Sequence, residues 1–311
     1  MIWAIRSFLA VVFLAASCLQ AQTGPKQAAV LSVCSYDMES LILVWEDQLR
    51  KGEPQFKLDL RPNSATEVAK ALIEGRSQLA PINREFKPEE IAAFKTRWGY
   101  LPTRIAVGVD ALVVLVQKNN PLKELRIDQL DAIWTTTRLN GYPKDIATWG
   151  DLGLVGSNWA ARPIVVIDRP DGDGLRDYFR QNITKGGTNK DTNRQCSDAM
   201  TLIEDLVSNQ AAISYGGLGE VFNNLRTVPL VPPGGKNAVE ASFETVASGE
   251  YPMTRVVYLY FNRAPDKPID PTVLKFLQFV ISSKGQKQLA PFGYVPLPLD
   301  MLVLNKKRLE H

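Results

Sequence analysis

The sequence predicts an α/β protein in which helices cover the faces of a parallel sheet. In the N-terminal third, apolar strand-like runs alternate with segments of helical periodicity in the order β-α-β-α, which is typical of parallel sheets. Further along, residues 105–109 and 111–116 form apolar, β-branched runs that are typical of buried strands. With 311 residues, 45% of them hydrophobic, the chain is long enough for about two domains with substantial cores.

The first elements follow one another from residue 28. Residues 28–33 read as a short strand. A helix is predicted next, because apolar side chains recur at the spacing of one helical face, at Met38, Leu41, Ile42, Trp45 and Leu49. Residues 56–60 alternate like a second strand. Ser64 then opens another helix, with apolar positions at Val68, Ala71 and Leu72.

The second half of the chain repeats this alternation. Residues 163–167, 211–215 and 256–261 read as further strands. Between the first two of these, a helix is predicted from apolar residues at Ala199, Leu202, Ile203, Leu206 and Val207. Asp270 followed by Pro271 is typical of an N-cap and the first helical position. In the helix that begins there, we expect one apolar face to be buried, with Val273, Phe276, Leu277, Val280 and Ile281.

The N-terminus has the pattern of an export signal. Arg6 precedes an apolar run, residues 7–17, which is too short to span a bilayer. We expect a signal peptide of residues 1–21, cleaved after Ala21, and hence a periplasmic or otherwise exported protein. The alternative is a lipoprotein signal, in which residues 15–18 form a loose lipobox and Cys18 carries the lipid.

Composition excludes several classes of function. A net charge of +3 gives no basic field of the kind that nucleic-acid binders carry, so no nucleic-acid partner is expected. The single His, His311, is the last residue, which excludes a Ser/His/Asp or Cys/His arrangement. The three Cys have no CxxC spacing, so we expect no metal site, and no cofactor is indicated. Whether Cys34 and Cys196 form a disulfide stays open, with two separate thiols favoured.

Polar loops follow three of the predicted strands, at residues 34–37, 63–66 and 169–175. In open α/β sheets, ligands bind where the carboxyl ends of strands lead into helix N-termini. Backbone N–H groups and the helix dipole favour an anion at such places. Each loop equally fits a simple helix cap with no ligand role, notably at Asp37, Ser64 and Asp173.

A set of short motifs, in a fixed order, extends over most of the chain. They stand at residues 71–75, 81–85, 109–114, 118–121, 127–134, 148–152, 251–255, 279–285 and 293–297. From about residue 28 to residue 299, the chain resembles the phosphate-type substrate-binding proteins of ABC importers. These belong to type II of the periplasmic-binding-protein-like superfamily.

The resemblance implies a fold and a function. The fold has two α/β lobes that are joined by a hinge of crossing strands and close on a ligand. Lobe 1 would comprise residues 28–112 and 253–311, and lobe 2 residues 113–252. The function would be that of an exported, monomeric solute-binding protein, not an enzyme. It would capture phosphate or a related small solute and deliver it to a membrane ABC permease.

The resemblance also implies ligand contacts. Arg169 falls on the arginine with which the family holds phosphate, and Asp171 falls on the carboxylate that accepts a phosphate proton. The other predicted contacts are Ser35, Tyr36, Asp37, Ser64, Ala65, Thr66, Asn83, Arg84, Asp173 and Gly174.

Two positions in the third loop depart from the family pattern. Asp173 stands where the family has Ser, and Leu175 where it has Thr. An ionised carboxylate only accepts hydrogen bonds, and two like charges about 4 Å apart cost roughly 4 kcal/mol at an effective dielectric of about 20. We therefore expect weakened phosphate binding, unless Asp173 protonates or turns to pair with Arg169 or Arg176. A salt bridge from Arg169 to Asp171 or Asp173, with no ligand role, is also open.

Three other functions stay open. Asp37, Asp171 and Asp173 could select a neutral polyol or an amine-bearing solute in the same cleft. The protein could instead be an exported sensory or interaction partner that has lost its ligand. An enzyme that uses Ser or Lys chemistry is the remaining alternative.

Overall fold

The structure is a computed structural model that describes residues 29–156 and 158–310; the predicted signal peptide and Cys18 lie outside these residues. The strands are β1 (Val30–Ser35), β2 (Leu58–Asn63), β3 (Leu79–Ile82), β4 (Thr103–Gln117), β5 (Leu125–Arg126), β6 (Val165–Asp168), β7 (Arg194–Gln195), β8 (Ala212–Gly217), β9 (Leu225–Val228), β10 (Leu230–Val231) and β11 (Thr254–Phe261). The helices are α1 (Glu39–Arg50), α2 (Ala65–Ile73), α3 (Pro88–Trp98), α4 (Ile127–Trp134), α5 (Gly174–Asn182), α6 (Ala199–Ser208), α7 (Phe243–Ala247), α8 (Pro271–Val280), α9 (Ser283–Gln286) and α10 (Leu299–Glu310).

The central sheet is mixed, with strand order β2-β1-β3-β11-β4-β8-β6-β7 and β9 paired with β4. The strand pairs β1–β2, β1–β3, β6–β8 and β6–β7 are parallel, as the alternation of strands and helices predicts. The pairs that involve β4 or β11 are antiparallel. The fold is therefore α/β and two-lobed, and the long strand β4 crosses its centre.

Strand β4 connects the two halves of the sheet. Its residues up to Ala111 pair with β11, whereas its residues from Leu112 onward pair with β8 and β9. The two apolar runs of the sequence, residues 105–109 and 111–116, thus form one strand of 15 residues. The strand continues through Asp110 because the carboxylate of that residue is paired with a buried arginine on β11.

Three apolar cores lie around this sheet. One packs α1 and α8 against β1 and β11, a second packs α2 and α3 against β1 and β3, and the third, which is the largest, lies around β4, β8 and α6. The predicted inward faces are confirmed. On α1, the residues Leu41, Ile42, Trp45 and Leu49 are buried, and on α8 the buried residues are Val273, Phe276, Leu277 and Val280.

Several element bounds differ from the sequence prediction by a few residues. Strand β2 begins two residues later than predicted and runs on to Asn63, since it follows the parallel register of β1. Cys34 and Cys196 are both buried, and neither forms a disulfide with another described residue. Within the described residues, no helix combines the length and apolar character that crossing a membrane requires.

Candidate functional site

The three predicted loops meet at one place. Strands β1 and β2 are adjacent and parallel, with Ser35 paired opposite Asn63, so the loops after these strands lie side by side. The loop after β6 reaches them from the other half of the sheet: a Cβ at Gly172 would lie 3.5 Å from Cβ of Ser64. Gly172 has φ +82, and Gly at this turn allows the chain to approach closely.

The start of α5 closes the contact between the halves. A side chain at Gly174 would collide with Asn83, which follows β3 on the other half of the molecule. Both residues are buried. The sequence-predicted residues Ser35, Ser64, Asn83 and Gly174 thus come together around a single interface.

Arg169 is the buried cation of this interface on the β6 side. Its guanidinium donates to Glu220 through two nitrogens, with Nη1 to Oε2 2.8 Å and Nη2 to Oε1 3.2 Å. Its Nε lies 3.1 Å from Oδ2 of Asp173. Burial alone would lower the pKa of Arg169, but the carboxylates of Glu220 and Asp173 outweigh it and hold that pKa well above its usual value.

Asp173 is the N-cap of α5. Its Oδ1 accepts from the backbone N–H groups of Leu175, at 2.8 Å, and Arg176, at 3.1 Å. Both structural roles that the sequence left open, a helix cap and a salt bridge to Arg169, are therefore filled by this one side chain.

A second buried cation, Arg255, lies on the β11 side of the interface. It stands directly opposite Asp110 in the β4–β11 register, and its Nε and Nη2 lie 2.9 and 2.7 Å from Oδ2 of Asp110. Its Nη2 is also 3.5 Å from Oδ2 of Asp37. Asp37 in turn accepts a hydrogen bond from the side-chain amide of Asn83. We call Asp37, Asn83, Asp110, Arg169, Asp173, Glu220 and Arg255 the cleft cluster.

Burial and neighbouring charges raise the pKa of Asp37 to about 6. Burial is the largest cause, Arg255 and Asn83 oppose it, and the carboxylates of Asp173 and Asp110 add to it. The folded protein therefore favours the protonated form of Asp37 more than the unfolded chain does. The stability that this provides is complete below the ordinary Asp pKa of 3.8 and is lost as pH rises through about 6.

Asp37→Asn is expected to become more stable relative to the wild type as pH rises, because the amide cannot ionise. The gain should appear between about pH 4 and 7 and reach about 3 kcal/mol, at 1.36 kcal/mol per pKa unit. Urea denaturation across this pH range measures it. Asp47→Asn, on the exposed face of α1, is the control and should follow the wild-type curve. A difference between Asp37→Asn and the wild type that does not change with pH would contradict the assignment.

Hydrogen-bonding capacity is left over within the cluster. Ser35 Oγ, Asn83 Oδ1 and Arg255 Nη1 are buried and lack a hydrogen-bond partner among the described residues. Arg169 Nε has an ion-pair neighbour but no well-aligned hydrogen bond. Buried polar groups without partners are costly, so these atoms fit contacts to a bound polar solute.

Other predicted contacts lie toward solvent or pair elsewhere. Tyr36 is 65% exposed, and Thr66 is exposed, whereas Ala65 is buried in α2. Asp171 is exposed and forms an ion pair with Arg176, at 2.5 Å, instead of Arg169. Arg84 is buried but donates to both carboxylate oxygens of Glu90 at 2.8 Å. Ser64 caps α2, accepting from the Glu67 N–H at 3.3 Å.

Sequence reasoning missed three residues of the cluster, namely Asp110, Glu220 and Arg255. A signal existed for two of them. Asp110 interrupts an apolar strand run and Arg255 opens another, and a charge in a buried strand is almost always paired. For Glu220 there is no comparable signal, because its contact with Arg169 joins positions 51 residues apart.

Comparisons with known proteins agree on one family. The family model described as a PBP superfamily domain matches residues 19–284. The phosphate-binding protein PstS of Pseudomonas aeruginosa is 35% identical over 268 residues, which cover 86% of this chain and 82% of that protein. PstS of Staphylococcus saprophyticus is 25% identical over 231 residues, covering 73% of this chain and 67% of that protein.

Solved structures share the fold. A phosphate ABC transporter substrate-binding protein from Clostridium perfringens, solved with bound phosphate, superposes with a TM-score of 0.71 at 22% identity, covering 87% of this chain and all of that one. An ABC-type phosphate transport receptor from Vibrio cholerae gives a TM-score of 0.68 at 16% identity, covering 86% of this chain and 100% of that chain. At these identities the likeness shows the fold alone.

Proposed function

Because this chain belongs to the PBP superfamily and, within it, to the family of the PstS phosphate-binding proteins, we propose that it is an exported solute-binding protein. It captures a phosphate-type oxyanion between its lobes and delivers it to a membrane ABC permease. The observation that carries the proposal is the meeting of the loops after β1, β2 and β6 around buried, unpartnered hydrogen-bonding atoms.

The proposed lobes follow the sheet. Residues 28–112 with 253–311 form lobe 1, and residues 113–252 form lobe 2. This division is supported by β4, which changes its strand partners between Ala111 and Leu112. Residues 1–21 act as the signal peptide that takes the protein to the periplasm; an anchor at Cys18 is the alternative. The protein acts as a monomer, without catalysis and without a nucleic-acid partner.

We propose as ligand contacts the residues that carry, or lie nearest to, the buried donors without a hydrogen-bond partner among the described residues. Ser35 Oγ and Arg255 Nη1 approach the solute from lobe 1, and Arg169 and the start of α5 approach it from lobe 2. Helix N-termini and guanidinium groups are the usual anion-binding elements of proteins. Arg255 therefore joins the predicted contacts on the lobe 1 side, where it is buried.

One observation favours a second candidate ligand. In the cleft cluster four carboxylates, those of Asp37, Asp110, Asp173 and Glu220, face only two guanidinium groups. An excess of negative charge complements a solute that carries an amine, and it repels a free oxyanion. The second candidate is thus a binding protein of the same fold for an amine-bearing or neutral solute.

Isothermal titration calorimetry of the exported protein with inorganic phosphate, near neutral pH, tests the proposal. Saturable heat is expected, because Ser35 Oγ, Arg169 Nε and Arg255 Nη1 are buried at one interface and form no hydrogen bond to other described residues. Chloride at matched ionic strength is the control for non-specific screening. The absence of binding heat up to millimolar phosphate, together with a melting-temperature rise caused by an amine or polyol, would contradict phosphate binding and support the second candidate.

A further inference from the structure

We infer that Glu220 and Asp173 are specificity-determining residues that occupy Arg169 as built-in anionic ligands, so that an oxyanion must displace them to bind. The inference rests on the proposed function, since it concerns the ligand of the same cleft. It adds a residue, Glu220, for which neither the sequence motifs nor the family resemblance assigns a role.

The contacts of Arg169 are those that an oxyanion would otherwise take. Both terminal nitrogens donate to the two oxygens of Glu220, at 2.8 and 3.2 Å, in the parallel geometry with which arginine holds carboxylates and phosphates. The third nitrogen, Nε, lies 3.1 Å from Asp173. The side chain of Arg169 is 3% exposed, so water does not compete for these positions.

The N-terminus of α5 is occupied in the same way. This helix has nine residues, and the N–H groups of its second and third residues, Leu175 and Arg176, both donate to Oδ1 of Asp173. An anion is ordinarily bound at such a position by these N–H groups and the helix dipole. Asp173 therefore takes up the helix terminus with one oxygen while the other approaches Arg169.

Glu220 is held in place by its own segment of chain. It ends a short 3-10 helix, Leu218–Glu220, directly after β8, and its Oε2 also accepts from the N–H of Gly217 at 3.1 Å. A side chain at Gly216 would collide with the carboxylate of Glu220. A Cβ on Gly219 would collide with the backbone of Phe292, and a Cβ on Gly293 would collide with the backbone of Gly219. The carboxylate is thus directed at Arg169 by the fold around it.

The expected effect on binding is large. A second anion about 4 Å from one of these carboxylates loses on the order of a thousandfold in affinity at an effective dielectric of about 20. Glu220→Gln keeps the shape of the side chain but removes its charge. Asp173→Ser keeps a good helix cap, because Ser is among the preferred N-cap residues.

Calorimetry with inorganic phosphate, on the full exported protein, tests the inference. Glu220→Gln and Asp173→Ser are each expected to bind phosphate between tenfold and about a thousandfold more tightly than the wild type, and the double variant more tightly than either single variant. Glu204→Gln, an exposed position on α6, removes the same charge far from Arg169 and should leave the affinity unchanged. Melting temperatures without phosphate show that each variant is folded.

Each outcome is decisive. Tighter binding in Glu220→Gln and in the double variant, but not in Glu204→Gln, supports the inference. Equal phosphate affinity in all variants overturns the inference. The absence of binding heat in every folded variant also overturns it, because freeing Arg169 would then not create an anion site. If the wild type gives no binding heat but the double variant binds phosphate, the inference is supported and phosphate capture by the natural protein is contradicted. Failure of the inference and failure of the proposed function are therefore distinguishable.

Discussion

Arg255→Ala is expected to lower the free energy of unfolding by about 3–5 kcal/mol, the usual cost of removing one partner from a buried ion pair. The side chains of Arg255 and Asp110 are 4% and 6% exposed, and the guanidinium also lies 3.5 Å from Asp37. Without Arg255, the carboxylates of Asp110 and Asp37 lose the guanidinium that faces them. Urea denaturation at neutral pH measures the loss.

Arg61→Ala is the matched control for this prediction. Arg61 forms an ion pair of the same length, 2.7 Å, with Asp59, but its side chain is 66% exposed. Exposed pairs contribute only about 0–1 kcal/mol, since water screens both charges. A loss in Arg255→Ala that is no larger than that in Arg61→Ala would show that the Asp110–Arg255 pair does not hold β4 and β11 together.

Trp45→Ala is expected to lower the free energy of unfolding by about 3–5 kcal/mol, because it leaves a cavity in the core around α1 and α8. Trp45 is fully buried in α1, the helix that follows the Ser35–Asp37 loop, and its ring packs edge-on against Phe276 of α8. Its Nε1 donates to the carbonyl of Gly285 at 2.8 Å. The substitution therefore removes both apolar packing and a buried hydrogen bond.

Leu43→Ala provides the comparison on the same helix. Leu43 is 47% exposed, on the face of α1 that points to solvent, and surface substitutions of this kind stay within about 0.5 kcal/mol. The difference between the two midpoints of urea denaturation reports the core contribution. Similar midpoints for both variants would mean that α1 is not anchored by Trp45, and that the first cleft loop has some other support.

Most of the fold could be predicted because its signals are local. The apolar spacing of α1 and α8, the caps at Ser64 and Asp270, and the β-branched runs in β4 each depend on residues near one another in the chain. Local periodicity decides which face of an element is buried, whatever the partner is. The predicted parallel pairing of β1 with β2 also follows, because a helix connects them.

The cleft was predicted in part. The loops at Ser35, Ser64 and Arg169 were expected to converge, since each follows the carboxyl end of a strand, and the structure brings them together. Asp171 was expected at the ligand but instead pairs with Arg176 at the surface. The direction of a side chain within a loop depends on its neighbours in space, and these are not adjacent in the sequence.

By itself, the sequence determined the α/β class, the elements and the family, because periodicity, caps and motifs are properties of neighbouring residues. Only the tertiary structure decided which charged side chains pair in the cleft. Glu220 meets Arg169 from 51 residues away and Arg255 meets Asp110 from 145 away, through strand register and a tight turn. The energy of an ion pair depends on distance and burial, and both quantities exist only once the strands have been brought together.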